Sequence, residues 1–484
     1  MIGPELNFTP RGLYIGGEWQ EAAEGGRLES INPSTGERLG EVPAATGADV
    51  DRAVRAARAA FETEWGRMPL LERAGCLERL AARLHEHRDE LGLMDCVDAG
   101  NALSGMVGDV DWTVDTLRFF AGLVTEIKGE TSSYGPRHLN FTRRQPYGVV
   151  AKINAFNHPF RFCAEKAAAA LAAGNTVVVK AADQAPLSSL RFAELCEGVM
   201  PRGVVNVVTG GGETGSAMVR HPLVERIGFV GSVETGRIIA REAAEGLKEV
   251  TLELGGKNPI IIFPDADPAT AAKAAMKGMN MNRQGQSCSS TSRVFVHEAL
   301  HDAVLDALVA EAEALPIGLP WEDGNEVGPI VSARQYERVT GFIASGREEG
   351  ARLVAGGDRP ADPALANGFF VCPTVFDGVD DSMRIAREEI FGPVMSVFTW
   401  SEHEDVLARA NALPYGLTAA IVTNDLDKAM ETADRVEAGY VWINSTGRYL
   451  GAPYGGWKHS GSGREESLDE LLSYTRIKNV NLRW

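Results

Sequence analysis

The sequence predicts an α/β protein built on parallel sheets, and three observations carry that expectation. From Ala151 onward, short continuous apolar runs alternate with helical segments, the pattern of strands buried on both faces between covering helices. Two glycine-bearing loops, 210–215 and 231–236, each follow such a run. The last stretch, 471–484, returns to β-favouring alternation and is expected to pair outside its own core.

In chain order, 51–61 and 70–91 carry apolar residues three and four apart and read as helices within a mostly helical 50–125. Segment 140–153 holds β-favouring runs split by Gln145-Pro146-Tyr147-Gly148, a strand or hairpin projecting from the body. Then follow an alanine-rich helix at 163–173, a strand at 176–180, a helix at 186–199 and strands at 203–208 and 227–230. A helix from Glu234 and a strand at 250–253 complete this block. Right-handed crossovers place the strand C-termini on one rim, where ligands bind. A second block begins past Gly255-Gly256, with strands at 259–263, 293–296, 369–375 and 419–422 and helices at 268–279 and 297–315.

The 484 residues exceed one ordinary core and imply two or three domains. A 44% hydrophobic and 24% charged composition reads as globular. The net charge of −18 argues against nucleic acid and anionic membrane surfaces as partners, since both select basic faces. Six scattered cysteines without a CxxC pair suit a reducing compartment. No basic start precedes an apolar run near Met1, and no apolar stretch reaches ~18 residues, so a cytoplasmic protein without a membrane span is expected.

His297-Glu298-Ala299-Leu300-His301 spells HExxH, the zinc-protease pattern, with Glu311, Glu313 and Glu322 as candidate third ligands. It falls where a strand gives way to a helix, and a solvated helix start is the expectation, with no metal. In His85-Glu86-His87 the two histidines stand two apart and share no helix face.

Cys288 lies among small polar residues, Gly285-Gln286-Ser287-Cys288-Ser289-Ser290, a setting that suits thiol attack on a carbonyl carbon. Glu253, 35 residues upstream in Leu252-Glu253-Leu254-Gly255-Gly256-Lys257, offers a carboxylate base. Asn157, in Ala155-Phe156-Asn157-His158-Pro159, is either a turn residue or an amide able to stabilise an oxyanion. Lys180 ends a buried strand, and Asp183 follows it; together they can meet a ribose and repel a 2′-phosphate, or serve as a surface lysine and a turn aspartate. Loop 210–215 matches GxGxxG after a strand, yet could be a plain turn among 53 glycines. In the second loop, Ser232 can cap a helix whose N–H groups could also meet phosphate.

These motifs, with Tyr14-Ile15-Gly16-Gly17-Glu18-Trp19, Glu388-Glu389-Ile390-Phe391-Gly392-Pro393 and Pro453-Tyr454-Gly455-Gly456-Trp457-Lys458, occur in an order that resembles the NAD(P)-dependent aldehyde dehydrogenase superfamily over nearly the whole chain. The resemblance implies a Rossmann-type cofactor domain (1–127 and 148–255), an α/β catalytic domain carrying the thiol (256–458) and a β oligomerisation arm with C-terminal tail (128–147 and 459–484). It implies Cys288 as nucleophile, Glu253 as general base and Asn157 in the oxyanion hole. Lys180, Asp183, Gly231, Ser232, Gly236, Glu389 and Phe391 would hold NAD, with NADP possible. The phosphate side is expected at Gly231, Ser232 and Gly236, not at Gly210. Lys166 and Glu465 match a proton-path or structural pair. The family uses no catalytic metal, which further lowers the HExxH reading.

The chain departs from the family pattern in places. Ala155-Phe156 replaces the usual Pro-Trp, Ala181 follows Lys180 where proline is usual, and Asp183 stands for a common glutamate. NAD preference is therefore the expectation without being fixed. Trp112, His158, Arg161, Phe162, Glu165, Ser287, Ser289 and Tyr449 match the aldehyde tunnel. Their rings favour an aromatic or apolar aldehyde. Arg161 and Arg448 could instead hold the carboxylate of a semialdehyde, unless they face Glu165 or solvent. A coenzyme A-acylating activity is disfavoured by Glu253. The partners implied are a small aldehyde and further copies of the chain, as a homodimer or homotetramer.

Overall fold

The computed structural model describes residues 4, 6 and 8–484. Its larger sheet has five parallel strands in the spatial order Val205–Val208, Thr176–Lys180, Val149–Ile153, Val224–Gly231 and Glu249–Leu254. The hairpin Leu13–Ile15 and Glu18–Gln20 extends one edge antiparallel. Chain order reverses between Val149–Ile153 and Val224–Gly231, which opens a crevice beyond their C-terminal ends.

The apolar runs form these strands because both faces are covered. Thr176–Lys180 is buried at all five positions. The helix Pro159–Ala172 is buried at all fourteen of its positions, and its alanines let it lie close against the sheet. It starts four residues before the expected Cys163, with Pro159 at its first turn, where a missing N–H costs nothing.

The second sheet runs Arg352–Ala355, Thr374–Asp377, Val394–Trp400, Arg293–His297, Pro259–Ile262, Thr418–Val422, Tyr440–Ile443, with only the first strand antiparallel. Pro259–Ile262 shows why its pattern is continuous: Ile260 and Ile262 enter one core and Ile261 the core on the opposite face. Among the described residues, no helix is long and apolar enough to cross a membrane.

Three expectations shift. The helix expected over 70–91 is two, Leu70–Glu86 and Arg88–Ala99, broken at His87. The strand expected over 369–375 begins only at Thr374, because Phe369 donates its N–H to the Pro33 carbonyl (2.9 Å) instead of joining the sheet. The helix expected from 297 starts at His301 after a 3-10 turn over Glu298–Leu300. His297 ends a strand and accepts from the Ala299 N–H at 3.2 Å, while His301 bonds Asp377 at 2.8 Å, so the HExxH histidines share no helical face.

The tail begins as a helix, Leu468–Ser473, and then a strand, Thr475–Arg483. That strand pairs antiparallel along His138–Pro146, which also pairs with Thr131–Gly135 to make a three-stranded arm. Ahead of it, Gly461–Ser462 lies on the edge of the larger sheet beside Glu249–Leu254, not in the arm.

Candidate active site

A cleft of about 920 Å³ opens between the two sheets, and Asn157, Ser232, Glu253, Cys288, Glu389 and Phe391 all line it. Each arrives from a different element. Asn157 follows the strand Val149–Ile153, and Ser232 follows Val224–Gly231. Glu253 sits one residue from the end of Glu249–Leu254. Cys288 lies on the loop leading into Arg293–His297.

The thiol loop is pinned to the base strand's continuation. Asn258 donates its side-chain amide to the carbonyls of Cys288 (2.7 Å) and Ser290 (3.0 Å). Ser290 Oγ donates to the Met279 carbonyl at 2.8 Å. Burial pushes the Cys288 thiol up to about 11, and the Glu253 charge adds to this; Arg448 and a Tyr454 hydrogen bond pull the other way. Tyr454 Oη lies 3.8 Å from Cys288 Sγ.

Glu253 is buried, and its Oε1 has no hydrogen-bond partner within the described residues. Burial, then the Glu465 charge, raises its carboxyl well above the usual range. Such a group is a strong base when it does ionise. Asn157 is held through its main-chain carbonyl, which accepts from Asn101 Nδ2 at 3.1 Å, leaving its side chain on the cleft.

On the other side of the cleft, Glu389 Oε1 accepts from the Gly256 N–H at 3.1 Å, and burial raises its carboxyl to about 7. Phe391 has φ of 59°, a left-handed conformation rare for a bulky residue. Gln335 fastens it by donating to the Phe391 carbonyl at 2.9 Å. Its ring meets Phe156 edge-on at 5.6 Å. Ser232 caps the helix Val233–Glu245, accepting from the Thr235 N–H at 3.2 Å.

Other expected cofactor residues sit elsewhere. Gly236 is inside that helix, where a Cβ would come 2.6 Å from Leu254; it serves helix–sheet contact and not the cleft wall. Lys180 is buried at its strand's end, its amine donating to the Ala181 carbonyl at 3.1 Å, and burial lowers its pKa. Asp183 is exposed just beyond. The expected loop 210–215 is a helix from Gly212 onward, exposed at Gly212 and Glu213, and Thr214 Oγ1 donates to the Ala45 carbonyl at 2.6 Å.

The expected substrate residues divide. His158 Nδ1 pairs with Asp109 at 2.6 Å, and burial lowers its pKa to about 4. Phe162 packs on His158 with ring centroids 5.0 Å apart. Arg161 lies over the Trp112 ring at 4.8 Å. It is committed to carboxylates: Glu165, Glu466 at 3.2 Å and Asp109 at 3.6 Å. Arg448 is likewise paired with Glu466. Both arginines therefore have internal partners. Lys166 sits 2.6 Å from Glu465 and 3.2 Å from Glu165, in the same buried network. Ser287 is buried, its Oγ 3.1 Å from Ser289 Oγ. Tyr449 is 69% exposed.

Sequence reading missed Tyr454, Asp109, Glu466 and Arg283, which donates to Asp109 at 2.8 Å. Tyr454 stands in a motif already singled out, but nothing local to it announces a partner 166 residues away. Arg237, Arg334 and Arg338 also line the cleft and carry no sequence signal of their own, while His459 beside them continues the motif begun at Pro453.

Comparison with known proteins gives the family and the fold. The aldehyde dehydrogenase family model matches residues 19–480. The aldehyde dehydrogenase tropH of Talaromyces stipitatus is 46% identical over 479 residues, 97% of this chain and 93% of that one. The NAD+ complex of an aldehyde dehydrogenase from Bacillus cereus superposes with a TM-score of 0.95 at 42% identity, covering 99% of this chain and 97% of that one. A mutant of the P. syringae indole-3-acetaldehyde dehydrogenase AldA, in complex with NAD+ and IAA, gives 0.95 at 36% identity, covering 99% and 98%. A thiol and a buried carboxylate facing one cleft at a sheet's switch point, in a chain matched almost end to end, place this protein in the aldehyde dehydrogenase family of NAD(P)-dependent oxidoreductases.

Proposed function

We propose that this enzyme oxidises an aromatic or apolar aldehyde to its carboxylic acid, with NAD as the acceptor. The observation that supports this most is the convergence of Cys288, Glu253 and Asn157 on one cleft. The Cys288 thiol gives up its proton to solvent and its sulfur adds to the aldehyde carbon. The Asn157 amide and the Cys288 N–H donate to the oxygen that becomes negative. A dinucleotide held in the cleft's other half would supply the acceptor for the hydride lost from that carbon. The carbon is then a thioester on Cys288, and Glu253 removes a proton from the water that hydrolyses it.

The cleft's other half suits a dinucleotide. Ser232 opens a helix N-terminus there, a place that favours phosphate. The Glu389 carboxylate can accept from ribose hydroxyls, and the Phe391 ring offers an apolar wall. Lys180 and Asp183 stand at the adjoining strand end, where an acidic residue favours NAD over NADP. The cofactor unit is taken as 1–127 and 148–255 with Gly461–Ser462 on its sheet edge, the thiol unit as 256–458, and the rest as arm and tail. Exposed Tyr134, Ile477 and Leu482 on the arm favour a homodimer or homotetramer, and six unpaired cysteines suit the reducing cytoplasm.

The aromatic or apolar reading is favoured over a semialdehyde because Arg161 and Arg448 already face Glu165 and Glu466. Comparing kcat/KM for benzaldehyde, hexanal and succinic semialdehyde tests it; a strong preference for the last defeats it. Cys288→Ser should cut dinucleotide reduction by roughly 10³-fold or more while NAD still binds. Undiminished turnover in that variant would remove Cys288 from the reaction.

A further inference from the structure

Tyr454 is 2% exposed and belongs to the loop that runs from the last strand of the thiol sheet, Tyr440–Ile443, back to the cofactor sheet at Gly461. Its backbone is locked to Glu465: Tyr454 N donates to the Glu465 carbonyl at 3.0 Å, and Glu465 N returns a bond at 2.7 Å. Its ring packs against Tyr440 at 5.6 Å, and the Arg448 guanidinium lies over it at 3.6 Å. Arg448 is itself held by buried Glu466. None of these contacts uses the phenol hydroxyl. Its one partner among the described residues is Cys288 Sγ, at 3.8 Å.

We propose that Tyr454 is a working part of the thiol site: its O–H donates to the Cys288 sulfur and holds the thiolate, while Arg448 fixes the ring and adds positive charge. The need for such a donor follows from the site's balance. Burial and the Glu253 carboxylate both oppose a charged sulfur. A hydrogen bond given to the ionised form favours that form, and it shortens as charge develops on the acceptor. The thiol proton leaves to solvent; Tyr454 keeps its own, because burial raises the phenol well above its usual range. Phenylalanine would fill the same space, so the hydroxyl is an addition to packing and not a requirement of it.

The proposal rests on Cys288 being the nucleophile. It is tested on the thiol alone, by the pH dependence of Cys288 alkylation with iodoacetamide in the full-length enzyme. Tyr454→Phe should raise the midpoint of that profile by about one unit, so that alkylation below the midpoint slows roughly tenfold with the melting temperature kept. Turnover at neutral pH should fall with it and recover as the pH is raised. The coupling is reciprocal. In Cys288→Ala the Tyr454 phenol should ionise at lower pH, seen as earlier tyrosinate absorbance in an alkaline titration. This second variant serves if Tyr454→Phe does not fold. A wild-type alkylation midpoint in Tyr454→Phe, or an unmoved phenol titration in Cys288→Ala, overturns the role of Tyr454. Neither result depends on aldehyde turnover, so the reading of Cys288 as catalyst stands or falls separately.

Discussion

Glu253 and Gly461 lie opposite each other in an antiparallel pair, so the candidate base is held at its backbone by the segment returning from the thiol sheet. Gly461 has φ of 143°, and a Cβ there would overlap the Leu252 carbonyl oxygen. Only glycine lets the two strands meet at this distance. Gly461→Ala must push the strand away and carry Glu253 with it. We expect a loss of about 1–3 kcal/mol of stability and, in the folded fraction, roughly a tenfold or greater fall in kcat. Thermal melting and steady-state rates on the same sample check both; unchanged kcat would free Glu253 from this register.

The raised carboxyl of Glu253 sets a pH dependence. Burial and the Glu465 charge favour its protonated form. A base must be ionised to work, so hydrolysis of the thioester rises with pH through that elevated value and falls below it. Glu253→Gln should lower turnover by roughly 10²–10⁴-fold and flatten this limb. In rapid mixing the first turnover of cofactor reduction should survive as a burst, because the base acts after it. Loss of the burst along with steady turnover would place Glu253 before hydride loss.

Asn157 makes a narrower claim. Its main chain is tied by Asn101, so replacing the side chain leaves the loop in place. Asn157→Ala should reduce kcat by about 10²–10³-fold with little change in melting temperature. A variant with near-normal kcat would leave the oxyanion to backbone donors alone.

What the sequence disclosed, and what it hid, divides along physical lines. Thr176–Lys180 was legible because a strand buried on both faces is apolar without interruption. Cys288, Glu253 and Asn157 were legible because the residues beside them must also bend, cap or approach closely, which leaves motifs. The ion network around Glu466 was not, since Arg161 and Arg448 reach it from 305 and 18 residues away. For the same reason the arginines stayed open between substrate clamps and partners of Glu165 until the network around Glu466 was visible. Gly236 read as a phosphate contact because helix–sheet proximity and ligand proximity both ask for glycine. The left-handed backbone of Phe391 has no sequence signal, because a bulky residue adopts it only when tertiary contacts such as Gln335 impose it.

Asp183 stands exposed after the Lys180 strand and carries the coenzyme preference in our reading. Asp183→Ser removes a negative charge from the place where a 2′-phosphate would lie. Activity with NADP should gain roughly tenfold or more in kcat/KM, and activity with NAD should fall by less. An unchanged ratio between the two coenzymes would move the selection to another residue.

Two buried acids on the helix Arg88–Ala99 are expected to weaken the fold as pH rises from about 4 to about 8. Asp95 and Asp98 are almost fully buried, and burial raises their carboxyls to about 8 and about 7. One Asp95 oxygen accepts from the Phe160 N–H at 3.0 Å, just past the Asn157 loop, and the other has no hydrogen-bond partner among the described residues. A folded-state pKa raised above the unfolded one means the native protein holds its proton more tightly. The stability this contributes is complete below the unfolded value near 4 and is lost as pH rises through 8. Asparagine keeps the acceptor for Phe160 and cannot ionise. Asp95→Asn should therefore melt close to wild type at about pH 5 and higher by about 2 °C or more at about pH 8.5. Asp98 leaves part of the slope in place. A wild-type profile already flat over that range would mean that Asp95 is ionised in the native protein, with a compensating partner at its second oxygen.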